Sequence, residues 1–250
     1  MKLDEMIGKG RNNEVYRSGD TAVKIFREGY EKADVMNEAY IASRIEEIGD
    51  ISVPKLLEVP VVDGRFAIVS EYIEGMTIAQ LMKKNPEKVN EYLEKMVEVQ
   101  LQISTKRCPY LVQQKEKLKE KIAQADIDKS RKYELYSVID GAPRHKKVCH
   151  GDLTPHNILI DKEGKAYIID WNHATQGNAS ADVARSYMWL CLHHPEMADV
   201  YLDLFCEKSR TSKTYVKQWL PVVAAARLPK KREHEEALLR EWVELTIYED

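Results

Sequence analysis

The sequence predicts an α+β protein of two lobes, a small antiparallel β-rich N-lobe at residues 1–73 and a larger, mainly helical C-lobe at residues 74–250. Three observations favour this class. The first part of the chain is rich in short apolar runs separated by turn residues, which is typical of hairpins. Beyond residue 75, apolar residues recur at helical spacing. A length of 250 residues suits one large domain or two lobes.

Two hairpins are expected in the N-lobe. The first joins residues 13–17 to a strand at residues 21–26 through a Ser-Gly-Asp turn. The second joins residues 59–62 to residues 65–72 through an Asp-Gly turn. A helical pattern over residues 31–48 separates the two hairpins and ends before a glycine.

The C-lobe is expected to be helical with one short β-containing interruption. Two groups of apolar residues lie at helical spacing, one at Val89, Tyr92, Leu93, Met96 and Val97 and the other at Leu238, Leu239, Trp242 and Val243. The interruption contains residues 148–149, 158–160 and 166–169, with a turn at residues 161–164. We expect a hinge between the lobes near residues 71–75, where a ligand would bind.

Composition excludes several classes of protein. Hydrophobic residues make up 44% of the chain and charged residues 32%, which is typical of a globular protein. A net charge of −3 gives no general attraction to nucleic acid or to an anionic membrane. No apolar run approaches the roughly 20 residues that span a bilayer. The first residues do not form the apolar core of a signal peptide, so we expect a cytoplasmic protein. The four cysteines are scattered, so we expect reduced thiols.

Two charged segments have alternative interpretations. Residues 113–132 are rich in Lys and Glu, which favours a solvated helix face over a nucleic-acid patch. Residues 231–250 contain seven carboxylates against three Lys or Arg side chains. This acidity fits either a solvated amphipathic helix or a surface that receives a cationic substrate.

Acidic and amide side chains are concentrated around residues 150–170. Asp152 and Asn157 stand five positions apart on an expected loop, and Asp170 follows a β-like run. A carboxylate and an amide are hard oxygen ligands that suit Mg²⁺ on phosphates. Asp152 is then left to accept a proton from a substrate hydroxyl or to orient it. Singly, each residue also fits a structural role, such as Asp152 capping a helix, but their order and spacing together indicate phosphoryl transfer.

The pattern His-Gly-Asp-x-x-x-x-Asn at residues 150–157, with Ile-Asp-Trp at residues 169–171, resembles the signature of the aminoglycoside phosphotransferase and choline kinase-like family. That family shares the protein-kinase architecture, so the resemblance implies a two-lobed protein-kinase-like fold. It covers nearly the whole chain in layout and is specific around residues 150–185.

The resemblance also implies roles for five residues. Asp152 becomes the catalytic residue that orients the acceptor hydroxyl. Asn157 and Asp170 become ligands of Mg²⁺. His150 supports the catalytic loop, and Asp182 braces that loop from the next helix. A helix N-terminal acid favoured by the dipole is a compatible interpretation of Asp182.

Residues 7–15 resemble a glycine-rich phosphate-binding loop, in which Gly8, Gly10 and Val15 are expected to bind the nucleotide. Glycine allows backbone N–H groups to approach phosphate closely. Asn13 replaces the third glycine of the kinase pattern, and Asn tolerates positive φ better than most residues. The turn is therefore expected to survive.

Lys24 lies within an apolar strand and is either an edge-strand residue facing solvent or, as the resemblance implies, the lysine that binds the α- and β-phosphates of ATP. Glu38 resembles the glutamate that holds such a lysine, with Glu31 and Glu46 as rivals. At the end of the second hairpin, Glu71 and Ile73 are expected to offer backbone groups to adenine.

A small-molecule acceptor is expected because Asp182 follows Asp170 by only twelve positions, and no Ala-Pro-Glu motif follows. A protein kinase carries a long activation segment there. We therefore predict an ATP- and Mg²⁺-dependent phosphotransferase that moves the γ-phosphate to a hydroxyl of a small molecule, which is aminoglycoside-like, an amino alcohol or a sugar. Two alternatives are an atypical protein serine/threonine kinase and a non-catalytic nucleotide-binding regulator.

Overall fold

The computed structural model describes residues 2–245. Its internal contacts divide the chain into two compact units. The first unit comprises the described part of Met1–Ile78 together with His156–Asn172. The second comprises Ala79–Pro155 and the described part of His173–Asp250. The first unit is therefore built from two separate stretches of sequence.

An antiparallel sheet forms most of the first unit. Its strands are β1 (Glu5–Lys9), β2 (Asn13–Ser18), β3 (Thr21–Phe26), β4 (Leu56–Glu58), β5 (Val61–Val62) and β6 (Arg65–Glu71). The order is β1-β2-β3-β6-β4, and β5 pairs with β6. Both predicted hairpins are confirmed, with a first arm in the second hairpin that is shorter than expected. Helix α1 (Lys32–Glu46) lies between them in the sequence, as predicted.

The two faces of β3 have different environments because side chains alternate along a strand. Val23 and Ile25 are buried in one apolar cluster of the sheet. Phe26 packs on the opposite side in a second cluster, which includes Val35 and Ala39 of α1. Lys24 therefore projects to the side of the sheet that carries α1. The sheet order also makes β3 an interior strand, which rules out the edge-strand alternative for Lys24.

A small second sheet joins the two stretches of the first unit. Strands β7 (Gly75–Thr77), β8 (Lys147–Cys149), β9 (Ile158–Asp161), β10 (Ala166–Ile168) and β11 (Thr175–Gly177) complete the strands of the described chain. The order of the second sheet is β10-β9-β7, so the later stretch is hydrogen-bonded to the end of the earlier one. Strand β8 pairs instead with β11. The predicted β interruption is thus two separate ladders, and the sequence analysis missed β7 and β11.

Helices dominate the second unit, as predicted. They are α2 (Ile78–Lys84, whose first residue belongs to the first unit), α3 (Val89–Ser104), α4 (Gln114–Ala123), α5 (Lys129–Gly141), α6 (Ala179–His193), α7 (Pro195–Ser209), α8 (Lys213–Lys217), α9 (Leu220–Arg227) and α10 (Glu233–Val243). Helices α6 and α9 are almost wholly buried. The predicted α+β class is confirmed. Within residues 2–245, no helix is long and apolar enough to cross a membrane.

Candidate active site

Lys24 is held between two carboxylates within the first unit. Its Nζ lies 2.5 Å from Oε1 of Glu38 and 3.2 Å from Oδ1 of Asp170. Burial would lower the pKa of the Lys24 ammonium, but the charges of Asp170 and Glu38 outweigh this effect and raise it. Lys24 is therefore a cation held in place by its two partners. One of them, Asp170, lies 146 positions away in the sequence.

Of the three glutamates considered for this pairing, Glu38 is the one that contacts Lys24. Glu46 accepts a hydrogen bond from the backbone N–H of Leu56 at 2.9 Å. Glu31 is exposed and occupies the N-cap position of α1. The side chain of Asn172 lies near Glu38, where it favours the charged carboxylate. The sequence analysis missed Asn172, because nothing in the local pattern connects it with a helix more than a hundred positions earlier.

The glycine-rich segment forms the turn between β1 and β2. Gly8 pairs with Val15 across the hairpin. The N–H of Gly10 donates to the carbonyl of Asn13 at 2.9 Å, so this N–H is already satisfied within the turn. Asn13 is the first residue of β2 and does not adopt the positive φ that we expected, because it pairs with Phe26 in the regular ladder. A Cβ at Gly10 would lie 3.0 Å from Oδ1 of Asn13, so the turn packs against that side chain.

The end of β6 leaves one backbone donor for a ligand. The N–H of Glu71 donates to the carbonyl of Lys55 at 2.9 Å, and that of Tyr72 donates to Asp20 at 2.9 Å. The N–H of Ile73 donates to no other group in the described part of the chain. Ile73 is therefore the residue of this segment whose N–H is available.

Asn157 and Asp170 flank one end of the β9–β10 ladder. Ile158 pairs with Ile168 at that end, and the N–H of Ile169 donates to the carbonyl of Asn157 at 3.0 Å. Asp170 has a φ of 60°, in the left-handed region that a non-glycine residue rarely adopts. Such strain is retained where the surrounding structure enforces it, and it is concentrated at functional sites.

The oxygen atoms of Asn157 and Asp170 fit a Mg²⁺ ion. Mg²⁺ usually takes one or two protein carboxylates and completes its shell with phosphate and water oxygens. The side chain of Asp170 remains 38% exposed despite its contact with Lys24, so it has an accessible oxygen. Among residues 2–245, no group of three or more His, Cys, Asp or Glu side chains is placed so that it could hold a metal ion by itself. The remaining ligands would therefore come from phosphate and water.

The loop that carries Asp152 belongs to the second unit and is braced by α6. Asp182 accepts hydrogen bonds from the N–H groups of His150 at 2.9 Å and Gly151 at 2.7 Å. Gln100, fully buried on α3, donates to Asp182 at 3.1 Å. Nδ1 of the buried His150 accepts from the N–H of Asp152 at 3.2 Å. The backbone on both sides of Gly151 is thus fixed by side chains.

Asp152 presents a partly exposed carboxylate to a cationic neighbour. Nη2 of Arg185 lies 3.2 Å from Oδ1 of Asp152, and 26% of the Asp152 side chain is exposed. Burial would raise the pKa of Asp152, but the charges of Arg185 and other cations of the unit outweigh it and lower the pKa well below its usual value. Asp152 is therefore ionised at neutral pH. The sequence analysis did not single out Arg185, although its position one turn after Asp182 was a usable signal.

Two lysines of α4 lie on the same side as Arg185. Lys117 and Lys121, four positions apart, are half-buried and line a recess with Arg185 and Gly151. We expected residues 113–132 to form a solvated helix face, and this was wrong for Lys117 and Lys121. Positions i and i+4 share one face of a helix, and here that face is turned inward.

The acidic C-terminal segment is partly neutralised within the protein. Glu235 is fully buried and accepts hydrogen bonds from Arg227 at 2.8 Å and from Arg232 at 3.0 Å. Burial would raise the pKa of Glu235, but these two guanidinium groups lower it to about 2. Arg240 bonds Glu236 at 2.9 Å. Residues 246–250 lie outside the described residues, so the expectation of a cation-receiving surface is tested only in part.

Comparison with known families gives one match over most of the chain. The model of the phosphotransferase enzyme family matches residues 5–215. No curated protein sequence matches the chain.

Several solved structures share the fold at low sequence identity. The aminoglycoside phosphotransferase APH(4)-Ia has a TM-score of 0.69 at 14% identity, covering 96% of this chain and 91% of its own. The choline kinase LicA from Streptococcus pneumoniae has a TM-score of 0.61 at 17% identity, covering 97% and 92%. An aminoglycoside-3′-phosphotransferase of type VIII has a TM-score of 0.63 at 19% identity, covering 92% of each chain. At these identities the likeness establishes the kinase-like fold.

Proposed function

Because the chain belongs to the phosphotransferase enzyme family, we propose that it transfers the γ-phosphate of ATP to a hydroxyl of a small molecule with the help of Mg²⁺. The carrying observation is the ammonium of Lys24, held by Glu38 and Asp170. A partly buried ammonium whose pKa is raised and which is oriented by two carboxylates suits the oxygen atoms of bound phosphates.

On the nucleotide side, Lys24 binds the α- and β-phosphates while Glu38 orients its ammonium group. Gly8 and Gly10 give the β1–β2 turn a surface without side chains, against which phosphates lie closely. The N–H of Ile73 and the backbone of Glu71 contact the base. The N–H of Gly10 donates to Asn13 within the turn and so is not available to phosphate. This supports a smaller contribution to phosphate binding from the loop than from Lys24.

Asn157 and Asp170 hold the metal ion in this proposal. When bound, Mg²⁺ supplies positive charge that offsets the charge of the transferred phosphoryl group. The β9–β10 ladder supports this assignment, because Asn157 just before β9 and Asp170 just after β10 lie at the same end of it.

Asp152 orients the acceptor hydroxyl. A carboxylate with a pKa far below neutral is a weak base, so it holds the hydroxyl by accepting its hydrogen bond and takes the proton only as the O–P bond forms. The contacts of Asp182 with the loop support this role, since they fix the backbone from which Asp152 projects.

A small molecule is the favoured acceptor. Helix α6 begins at Ala179, nine positions after Asp170, which leaves no room for the activation segment of a protein kinase. Among the structural neighbours, LicA was solved with AMP, APH(4)-Ia with AMP-PNP and hygromycin B, and a 2′-phosphotransferase with GDP. Nucleotide binding and a small hydroxylated acceptor are common to these proteins, so both are proposed for this chain.

The proposed compartment is the cytoplasm. The described residues include four cysteines, all free thiols. Free thiols suit a reducing compartment.

An ADP-release assay with MgATP and a panel of hydroxylated acceptors tests the proposal. We expect Mg²⁺-dependent ADP formation that requires both the acceptor and Asp152. The same assay with a peptide library tests the protein-kinase alternative. Absence of MgATP-induced thermal stabilisation, together with absence of ADP formation from every acceptor, would contradict the proposal. Stabilisation without any turnover would favour the regulator alternative.

A further inference from the structure

The recess beside Asp152 has an unusual lining for a site that receives a hydroxyl compound. Its walls include Lys117, Lys121, Gly151, His173, Asp182 and Arg185, all in the second unit. The carboxylate of Asp182 already accepts hydrogen bonds from the N–H groups of His150 and Gly151. Its volume is about 40 Å³, whereas one ordered water needs about 10–15 Å³. The recess therefore has the size of a single small polar group, such as a phosphate or carboxylate.

Arg185, which lines this recess, has an unused donor. The residue is only 9% exposed, and its Nη2 bonds Asp152. Its Nε is buried and has no hydrogen-bond partner among residues 2–245. A buried guanidinium N–H without a partner is costly, so a ligand oxygen that accepts from it would remove the penalty.

Three lysines near Arg185 also lack counterions. Lys117, Lys121 and Lys230 form no ion pair within the described part of the chain. Lys119, on the outer face of the same helix, is different, because its Nζ lies 2.6 Å from the carboxylate of Asp140. The inward lysines are thus unpaired while the outward one is neutralised.

Positive charges outnumber negative ones around Asp152. The cations are Arg185 and the three lysines, and the carboxylates are Asp152, Asp182 and, near Lys117, Glu120. His173 is neutral because burial and these cations lower its pKa far below neutral. Burial and the charge of Arg185 lower the pKa of Lys121 to about 7 and that of Lys117 to about 8. Burial and Arg185 likewise lower the pKa of Lys230 to about 8. Burial and mutual repulsion both disfavour the charged forms of these lysines, and a bound anion would offset both effects.

We propose that this recess binds an anionic group of the acceptor, a phosphate or a carboxylate, so that the substrate is an acidic hydroxyl compound such as a sugar phosphate or a sugar acid. The inference rests on the proposed function, because that function requires an acceptor. The charge of the acceptor is inferred from the recess itself. Lys121 and Arg185 bind the anion, and Asp152 holds the hydroxyl of the same molecule. A polycationic aminoglycoside would add positive charge to a region that already has an excess.

Binding of inorganic phosphate tests the recess without any turnover. Phosphate is titrated into the protein by calorimetry with the nucleotide site saturated by MgADP. We expect Lys121→Met and Lys230→Met each to weaken phosphate binding by about tenfold or more. Lys119→Met is the matched control and should bind phosphate like the wild type. Circular dichroism verifies that each variant is folded.

Two outcomes of the phosphate titration would overturn the proposal. One is equal affinity in the wild type and in both lysine variants, or no phosphate binding at all. The other is competition between phosphate and ADP, with phosphate binding lost in Lys24→Met but retained in Lys121→Met. That result would show that phosphate binds in the nucleotide site.

A charge series of acceptors separates this inference from the proposed function. Glucosamine, glucose, glucuronate and glucose 6-phosphate share one ring and differ in charge. We expect kcat/KM to be at least about tenfold higher for the anionic members than for glucosamine. In Lys121→Met this preference should disappear because KM for the anionic acceptors rises. A preference for glucosamine would overturn the inference and leave phosphotransfer intact. If none of the four is phosphorylated, the phosphate titration alone decides the inference.

Discussion

The guanidinium of Arg185 donates to the carboxylate of Asp152 over 3.2 Å. This contact is part of a braced arrangement, because Arg185 lies on the same helix as Asp182, which accepts from the N–H groups of His150 and Gly151. Helix α6 therefore fixes both the backbone and the charge state of Asp152.

Asp152→Asn should lower kcat by about 10²–10⁴-fold, because an amide neither accepts the hydroxyl proton nor carries negative charge. The Kd for nucleotide should stay at the wild-type value, since Lys24 and Asp170 are untouched. Steady-state kinetics and calorimetry measure the two quantities. Asp140→Asn, at an exposed carboxylate paired with Lys119, is the control and should keep full activity. Wild-type turnover in Asp152→Asn would refute the role.

Lys24→Met should weaken ATP binding by about tenfold or more, because it removes the cation from between Glu38 and Asp170 and leaves two carboxylates facing the phosphates. Glu38→Gln should have a smaller effect in the same direction. Lys32→Met, at an exposed position at the start of α1, serves as the control. An unchanged ATP affinity in Lys24→Met would contradict the assignment of Lys24 to the phosphates.

Asp170→Asn should shift the Mg²⁺ dependence of ATP binding to concentrations about tenfold higher or more, since a neutral amide is a weaker ligand than a carboxylate. Asn tolerates the left-handed backbone that Asp170 adopts, so the variant should remain folded. Titration of Mg²⁺ at fixed ATP is the measurement. A titration curve that coincides with the wild type would exclude Asp170 as a metal ligand.

Gly151→Ala should destabilise the protein by about 3 kcal/mol or more. Gly151 has a φ of 78°, and a Cβ there would also collide with the backbone carbonyl of His173. Gly164→Ala is a matched control, because Gly164 has a φ of 82° but open space around it. The control should cost only about 1–2 kcal/mol. Urea denaturation measures both, and equal losses would indicate that the collision is absent.

Lys121→Met should stabilise the protein at pH 6, by about 1 kcal/mol after allowance for solvent screening of a half-buried group. The folded-state pKa of Lys121, about 7, lies below its ordinary value, so folding of the charged side chain is unfavourable at pH 6. As pH rises above 7, the folded state binds fewer protons than the unfolded state, and wild-type stability increases. The advantage of Lys121→Met should therefore shrink between pH 7 and pH 10 in denaturation experiments. A difference that is independent of pH would contradict the proposed charge repulsion.

Much of the first unit follows from the sequence because its determinants are local. The alternation along β3 and the turn residues before it specify a hairpin without reference to the rest of the chain. The spacing between Asp152 and Asn157 lies within one short loop, so it is readable in the same way. For Lys24, the sequence suggested three glutamate partners, and the geometry shows that Glu38 is the one in contact.

The sequence by itself determined the hairpins, most of the helices, the phosphotransferase motif and the expectation of a small-molecule acceptor. Only the tertiary structure decided that residues 156–172 pack with the N-terminal sheet, because β7 and β9 are paired by backbone hydrogen bonds that leave little trace in side-chain pattern. It also decided the charge around Asp152. Lys117, Lys121 and Arg185 come from helices far apart in sequence, and their convergence depends on how α4 and α6 both pack against α9. The charge pattern along the chain left open a solvated helix or a surface for a cationic acceptor, whereas the arrangement of charges in space favours an anionic acceptor.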